Sequence, residues 1–392
     1  MNILVIATEF PPDIGGAAVF VGNLCDQLAR RGHQVRVILP RLSDLVRPLH
    51  TFKGSDAVTY QVTYLKTKRR LSSLRPIYAT LAAAREQRTD VVFFGQLVTT
   101  WGLGAVLLSQ LCRVPFVILS HGNDLRFMMV NWVDRLAVRL VRAKASLMLA
   151  NSTFTAERIR GTGYAGKVEI LHPGVDTTQF HPHWDTKEIT KRYALENKRI
   201  LITTARLTRK KNIHRVLKAL PIVIKQIPNL IYLIIGQGEE EDRLRRLVVE
   251  LDMESYVRFV GHVAHPQLGP FYNVADLFIM PSYQAEGTDD KETFGISFIE
   301  ASACSKPVIG GRSGGVSDAV VDGETGLLVD PDDEQEIAAA ITRLLTDKAL
   351  ARRLGENGRR RAVEELSWEK VAARFDNALL TCLSEQRDTI GR

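Results

Sequence analysis

The stretch Lys291-Glu292-Thr293-Phe294-Gly295-Ile296-Ser297-Phe298-Ile299-Glu300-Ala301 holds two glutamates separated by seven residues, with a Phe-Gly turn between them and an apolar run behind. This is the layout of a loop that opens a helix. A helix beginning near Gly295 directs the amides of Phe294, Gly295 and Ile296 out of its positive end, where a diphosphate is best held. Glycine lets the backbone approach such an anion closely. At about 1.5 Å of rise per residue, Glu300 lies roughly 7 Å into the helix, while Glu292 stays outside it on the far side of the anion site. Carboxylates repel phosphate, so they serve something else, and the neutral groups flanking a diphosphate in a nucleotide sugar are two sets of hydroxyls. Glu292 is assigned to the hexose hydroxyls and Glu300 to the ribose hydroxyls. Two glutamates near a helix start also fit a plain capping preference; the continuation Ala301 to Gly310, which reads as the rest of the helix, a turn and a buried strand, favours the site.

Working outward, Ile200 to Ala205 reads as a strand that runs into Arg206-Leu207-Thr208-Arg209-Lys210-Lys211-Asn212. Two cations five residues apart on a strand-to-helix loop can grip both phosphates of a diphosphate and neutralise the charge that grows as the sugar leaves. A solvated basic loop is the other reading of this stretch. At the start of the chain, Met1 to Ala7, a loop with Gly15 and Gly16, a helical Val19 to Arg31 and a strand Gln34 to Leu39 make a β-loop-α-β unit. The loop lacks G-x-G-x-x-G, which argues against a dinucleotide site. Val114 to Ser120 is a further parallel strand, and His121-Gly122-Asn123-Asp124 follows it, at the end where an open parallel sheet meets its ligand.

The Glu-(seven residues)-Glu segment, continuing as ETFGISFIEASACSKPVIGGRSGGVSDAVVDGETGLLVDPDD, closely resembles the nucleotide-sugar site of retaining glycosyltransferases of family 4, which have the GT-B fold. The basic loop matches the family's R-L-x-x-x-K-N, and the match selects Arg206 and Lys211, leaving Arg209 and Lys210 as bystanders. His-Gly-x-Asp resembles the family's motif and implies that His121 bonds the donor hexose while Asp124 orients the loop. The resemblance raises Gly16, on a loop bordering donor phosphate and acceptor, and places backbone contacts to the base at His262-Val263. It implies two doubly wound Rossmann-like α/β domains facing a cleft, the donor held mainly by the second and a hydroxyl acceptor by the first. The expected domains are 1–184, joined by a C-terminal helix at 369–392 that crosses back, and 198–368, with a linker by composition from Pro173 to about Asn197. The reaction implied is retaining hexosyl transfer, with Arg206, Lys211 and the helix amides stabilising the leaving diphosphate, and with no metal or other cofactor. GDP-mannose is the first donor by resemblance to the phosphatidylinositol mannosyltransferase branch, with UDP-glucose and UDP-N-acetylglucosamine next. The link from Tyr283 to Lys291 is longer and more acidic than the family's usual one, and Glu286 within it competes with Glu292 for the sugar; the seven-residue spacing to Glu300 favours Glu292.

Bulk properties set the outer bounds. A chain of 392 residues with 45% apolar content fills about two domain cores. Its longest apolar runs fall far short of the roughly 20 residues of a membrane span. Met1 to Ala7 lacks a basic start and a cleavage site, so it reads as a strand and the chain as cytoplasmic. Cys25, Cys112, Cys304 and Cys382 have no metal-type spacing and read as four buried free thiols. Residues 1–180 carry 22 Lys and Arg against 12 Asp and Glu, and the remainder carries 30 against 32. The basic half suits an anionic partner. The amphipathic stretches Lys66 to Arg75 and Leu125 to Leu140 fit peripheral docking on an anionic membrane surface as well as a core-facing helix with solvated arginines. Nucleic acid is not expected as a partner. Two other classes remain: a nicotinamide-dependent oxidoreductase, against which the missing glycine fingerprint counts, and a non-catalytic module that binds anionic surfaces. A same-fold transferase acting on a polysaccharide or a soluble small molecule is the nearest alternative.

Overall fold

The computed structural model describes residues 1–11, 15–41, 50–53, 59–66, 75–96, 99–122, 132–284 and 291–390. The chain divides into two compact units, Met1–Pro173 with Trp368–Arg392, and Gly174–Ser367. The first runs β1 (Asn2–Ile6), α1 (Gly16–Arg30), β2 (Gln34–Arg41), β3 (His50–Lys53), β4 (Thr59–Lys66), α2 (Arg75–Gln87), β5 (Val91–Phe94), α3 (Thr99–Cys112), β6 (Phe116–Ser120), α4 (Trp132–Lys144), β7 (Leu147–Ala150), α5 (Thr153–Gly161) and β8 (Val168–Ile170). Its sheet has the order β3-β4-β2-β1-β5-β6-β7-β8, parallel except where β3 meets β4. Strands buried on both faces read as continuous apolar runs, as VVFF, FVILS and LMLA do here. Alternate residues serve opposite layers: Ile3, Val5 and Phe93 pack with Phe20 and Leu24 of α1, and Leu4, Ile6 and Phe94 pack with Ala105 of α3 and Val141 of α4.

The second unit runs α6 (Lys187–Tyr193), β9 (Arg199–Thr204), α7 (Ile213–Val223), β10 (Leu230–Ile235), α8 (Glu241–Glu250), β11 (Val257–Gly261), α9 (Gly269–Val274), β12 (Leu277–Met280), α10 (Ile296–Ala303), β13 (Val308–Gly311), α11 (Val316–Ala319), β14 (Leu327–Val329), α12 (Glu334–Thr346) and α13 (Lys348–Glu364). Its sheet, β11-β10-β9-β12-β13-β14, is parallel throughout. Both sheets are doubly wound: β1 lies between β2 and β5, and β9 between β10 and β12, so each sheet reverses its order of addition at one strand. At such a reversal the carboxyl ends of neighbouring strands open a ligand crevice. In the second unit these are the ends of β9 and β12.

The chain then returns to the first unit as α14 (Trp368–Ile390). Phe375 seats its ring 4.8 Å from that of Phe93, Trp368 lies 5.4 Å from Phe20, and Asp376 receives Arg31 at 2.6 Å and His33 at 2.7 Å.

Two expectations need correction. The stretch from Gly174 to Asn197 is part of the second unit rather than a linker, because Phe180 is fully buried there, 5.7 Å from the ring of Tyr272, and its carbonyl accepts from Arg359 at 2.8 Å. Cys112, at the solvent end of α3, is exposed, while the other three free thiols are buried. The expectations for Asp124 and Glu286, and those for most of the stretches Lys66 to Arg75 and Leu125 to Asn131, lie outside the described residues.

Candidate active site

The basic loop leaves β9 at its carboxyl end and closes in a tight helical turn, Arg209–Lys211, before α7. Asn212 anchors it. Its side chain is fully buried, and its amide donates to the carbonyls of Pro281 at 2.9 Å and Pro331 at 2.6 Å. The loop is thereby pinned to the ends of β12 and β14, and Lys211, one residue before, is aimed by a rigid neighbour. Lys211 pairs through Nζ with Oε2 of Glu292, and the two side chains are only 14% and 11% exposed. Arg206 differs: its side chain is 78% exposed, with Glu239 3.8 Å away, a surface pair of small energy.

Glu292 precedes the turn that the sequence predicts. Burial pushes its carboxyl up, but the adjacent charge of Lys211, with Lys210 behind, outweighs burial and holds it below the ordinary glutamate range. Its own carbonyl accepts from the amide of Gly315 at 2.8 Å. Gly314, at φ +60°, passes so close that a Cβ there would stand 2.1 Å from that carbonyl oxygen. Gly295 then caps α10 at φ +93°, and a Cβ on it would meet the Phe298 ring at 2.6 Å. Phe294 buries its ring in the core, so what it offers a ligand is backbone. The amides of Gly295 and Ile296 head α10 with no acceptor inside the helix. Ser297 hydroxyl donates to the Thr204 carbonyl at 2.9 Å, which fixes the head of α10 beside the end of β9, two residues before Arg206.

Glu300 lies inside α10 and is 4% exposed. Both of its oxygens are bonded: Oε1 to His265 Nε2 at 2.6 Å and Oε2 to the Tyr272 hydroxyl at 2.7 Å. Tyr272 is in turn bonded to the Thr204 hydroxyl. Burial lowers the basicity of His265, but the charge of Glu300 and its hydrogen bond prevail and raise it above the usual histidine value. Val263, two residues before His265, is half-buried against the apolar core that holds Phe180 and Tyr272.

In the first unit, His121 follows β6 and donates through Nε2 to the Gly95 carbonyl at 2.9 Å; a carbonyl only accepts, so Nε2 carries a proton. The imidazole meets the Phe20 ring of α1 edge-on at 5.7 Å. Gly16 opens α1 at the same end of the sheet and is exposed. A cavity of about 300 Å³ in the second unit, lined by Tyr283, Lys291, Arg312, Asp330 and Asp332 among others, includes none of the predicted site residues. Among the described residues no cluster of three His, Cys, Asp or Glu side chains is placed to hold a metal ion.

A cation and free helix amides beside two anchored carboxylates can hold a doubly charged anion flanked by hydroxyls. Comparison with known proteins agrees with that chemistry. The family description "Glycosyltransferase Family 4" matches residues 14–179, and "Glycosyl transferases group 1" matches residues 185–361. The chain belongs to glycosyltransferase family 4. The GDP-mannose-dependent alpha-(1-6)-phosphatidylinositol monomannoside mannosyltransferase of Mycolicibacterium smegmatis is 28% identical over 386 residues, 96% of this chain and 98% of that protein. Glycogen synthase of Mycobacterium tuberculosis is 27% identical over 403 residues, 95% of this chain and 92% of that one. Sucrose-phosphate synthase from Thermosynechococcus elongatus superposes with a TM-score of 0.78 at 22% identity, covering 98% of this chain and 100% of that one. The fold is GT-B, and the chain is a nucleotide-sugar-dependent hexosyltransferase.

Within this family-4 enzyme, the structure brings Lys211, Glu292, Gly295 and Ile296 into one neighbourhood, with Arg206 joined to it through the Thr204–Ser297 bond and Glu300 through Thr204 and Tyr272. Gly16 and His121 belong to the first unit and Val263 follows β11. Sequence reasoning missed Asn212, Tyr272, His265 and Gly314. Asn212 was within reach, being the last letter of the basic motif; the other three have no local pattern that sets them apart.

Proposed function

We propose that this family-4 enzyme moves mannose from GDP-mannose, with retention at the anomeric carbon, to a hydroxyl of a lipid-linked or glycan acceptor at an anionic membrane surface. The observation that carries the donor reading is the meeting of Lys211 with Glu292 at the head of α10. Arg206, Lys211 and the amides of Phe294, Gly295 and Ile296 grip the diphosphate; Glu292 reads the hexose hydroxyls, Glu300 the ribose hydroxyls, and the backbone at Val263 the base. Gly16 borders the phosphate and His121 bonds the hexose. The bond from the anomeric carbon to the phosphate oxygen breaks, the bond to the acceptor oxygen forms on the same face, and the acceptor's proton passes to the departing phosphate oxygen. The cations and amides neutralise the leaving diphosphate, so no metal is required for that task.

The relatives named as GDP-mannose-dependent support the donor, and UDP-glucose and UDP-N-acetylglucosamine stand next. The membrane reading rests on the first unit. Leu107 and Leu111 on α3, and Leu136 and Leu140 on α4, are exposed pairs four residues apart, and exposed Arg139 and Lys144 lie on α4 beside them. Apolar side chains among cations complement an anionic bilayer. No described helix is long and apolar enough to cross one. A polysaccharide or soluble acceptor is the second reading, favoured by the glycogen synthase among the relatives.

A thermal-shift series with GDP, UDP and ADP tests the base: the correct product at 100 times its dissociation constant adds about 2.7 kcal/mol. Transfer from GDP-mannose to extracted polar lipids, with the product's anomeric configuration read by NMR, tests the rest. Equal response to all three nucleotides, or transfer only to soluble acceptors, overturns the proposal.

A further inference from the structure

Lys211, set on the diphosphate by the donor reading, and Glu292, set on the hexose, are paired with each other. Neither is a loose surface chain. Lys211 is set by the buried Asn212 beside it, and Glu292 by the Gly315 amide on its carbonyl. A diphosphate that takes Lys211 leaves a largely buried carboxylate without its hydrogen-bonded counter-charge, with only Lys210 behind it and a second anion beside it. Removing one partner of a buried pair is strongly unfavourable. A hexose on the diphosphate alters this, because its hydroxyls donate to the carboxylate as the cation leaves. A nucleotide without sugar offers no such replacement.

On this basis, and resting on the donor reading above, we propose that the Lys211–Glu292 ion pair discriminates against the spent nucleotide: it opens at little cost for the sugar-bearing donor and closes again once the hexose has gone, expelling the diphosphate. Glu292 is then a specificity residue for the donor over the product as well as a ligand of the hexose.

The test compares GDP with GDP-mannose, and UDP with UDP-glucose, by titration calorimetry on the full chain, for the wild type, Glu292→Gln, Lys211→Gln and the double variant. Glu292→Gln is expected to tighten the nucleoside diphosphate about tenfold or more while weakening the sugar nucleotide, and this tightening is expected to vanish in the Lys211→Gln background. Glu292→Asp, which keeps the charge but withdraws it by one methylene, is expected to shift the ratio in the same direction, and stands in should Glu292→Gln fail to fold. Equal weakening of both ligands by Glu292→Gln overturns the inference. So does an equal tightening with and without Lys211, which would be simple long-range repulsion. A wild type that binds none of the four ligands instead overturns the donor reading itself.

Discussion

The hydroxyl of Tyr272 donates to Oε2 of Glu300 at 2.7 Å, both groups buried and 28 residues apart in the chain. With His265 on the other oxygen, this bond sets the direction of a carboxylate inside a helix, where it otherwise has free rotation. Tyr272→Phe keeps the ring and removes the bond. A buried acceptor left short of a partner costs roughly 1–3 kcal/mol. The expected outcome is that loss in urea unfolding, with a several-fold higher KM for the donor and a kcat that changes less. An unchanged KM would detach Glu300 from the donor.

His265 makes the same clamp depend on pH. Its folded pKa is raised by Glu300, so the stability it contributes is fully present below the unfolded histidine value of about 6.5 and is lost as pH rises through the folded value. The difference in Tm between wild type and His265→Gln should therefore narrow from pH 6 towards pH 9. A difference that stays flat over this range would mean that the imidazole is held neutral.

For the buried ion pair the sign reverses. Glu292 is held below its ordinary pKa, so its contribution is present above about pH 4.3 and lost as pH falls through the folded value. Lys211→Met leaves this carboxylate unpaired, at a cost of roughly 3–5 kcal/mol near neutral pH. The stability gap to the wild type should shrink on acidification, as protonation removes the orphaned charge, and transfer activity should be lost throughout. Chemical denaturation at pH 4 and pH 7 checks both statements.

Much of this was legible in the chain. The runs LFIM and LIYLII announce parallel strands because both faces are covered, and the pair Glu292 and Glu300 announces a helix head because an anion site needs one. The boundary at Gly174 was not legible. Polar residues dominate from Asp176 to Asn197, and the burial of Phe180 depends on His265 and Tyr272, 85 or more positions onward. The bond of Lys211 to Glu292 was hidden for the same reason: the motifs mark each residue separately, while their mutual attraction depends on a distance that only folding across 81 positions creates.

Gly314 supports Glu292 through the backbone alone. Alanine there must hold φ near +60°, which costs on the order of 1–2 kcal/mol, and its Cβ must also displace the Glu292 carbonyl. Gly323, at φ +72° with nothing within 4 Å of a Cβ, supplies the control. Gly323→Ala should show the conformational cost with activity intact. Gly314→Ala should lose at least about tenfold in kcat/KM beyond whatever its lower Tm explains, since the carboxylate moves with its backbone.

Phe375 tests the ownership of the last helix. Its ring is fully buried against Phe93 and belongs with Phe20, Leu24 and Leu379 to the core of the first unit. Phe375→Ala removes a large side chain from a packed layer, at about 3–5 kcal/mol. The cost should fall on the unit that owns the helix. Of the residues proposed for the nucleotide, all but Gly16 lie between Gly174 and Ser367, so GDP affinity at a temperature where the variant is folded should stay close to the wild type, while unfolding followed at first-unit tryptophans such as Trp101 and Trp368 shifts to lower urea. A fall in nucleotide affinity of the same size as the fall in stability would show that the second unit depends on the helix too.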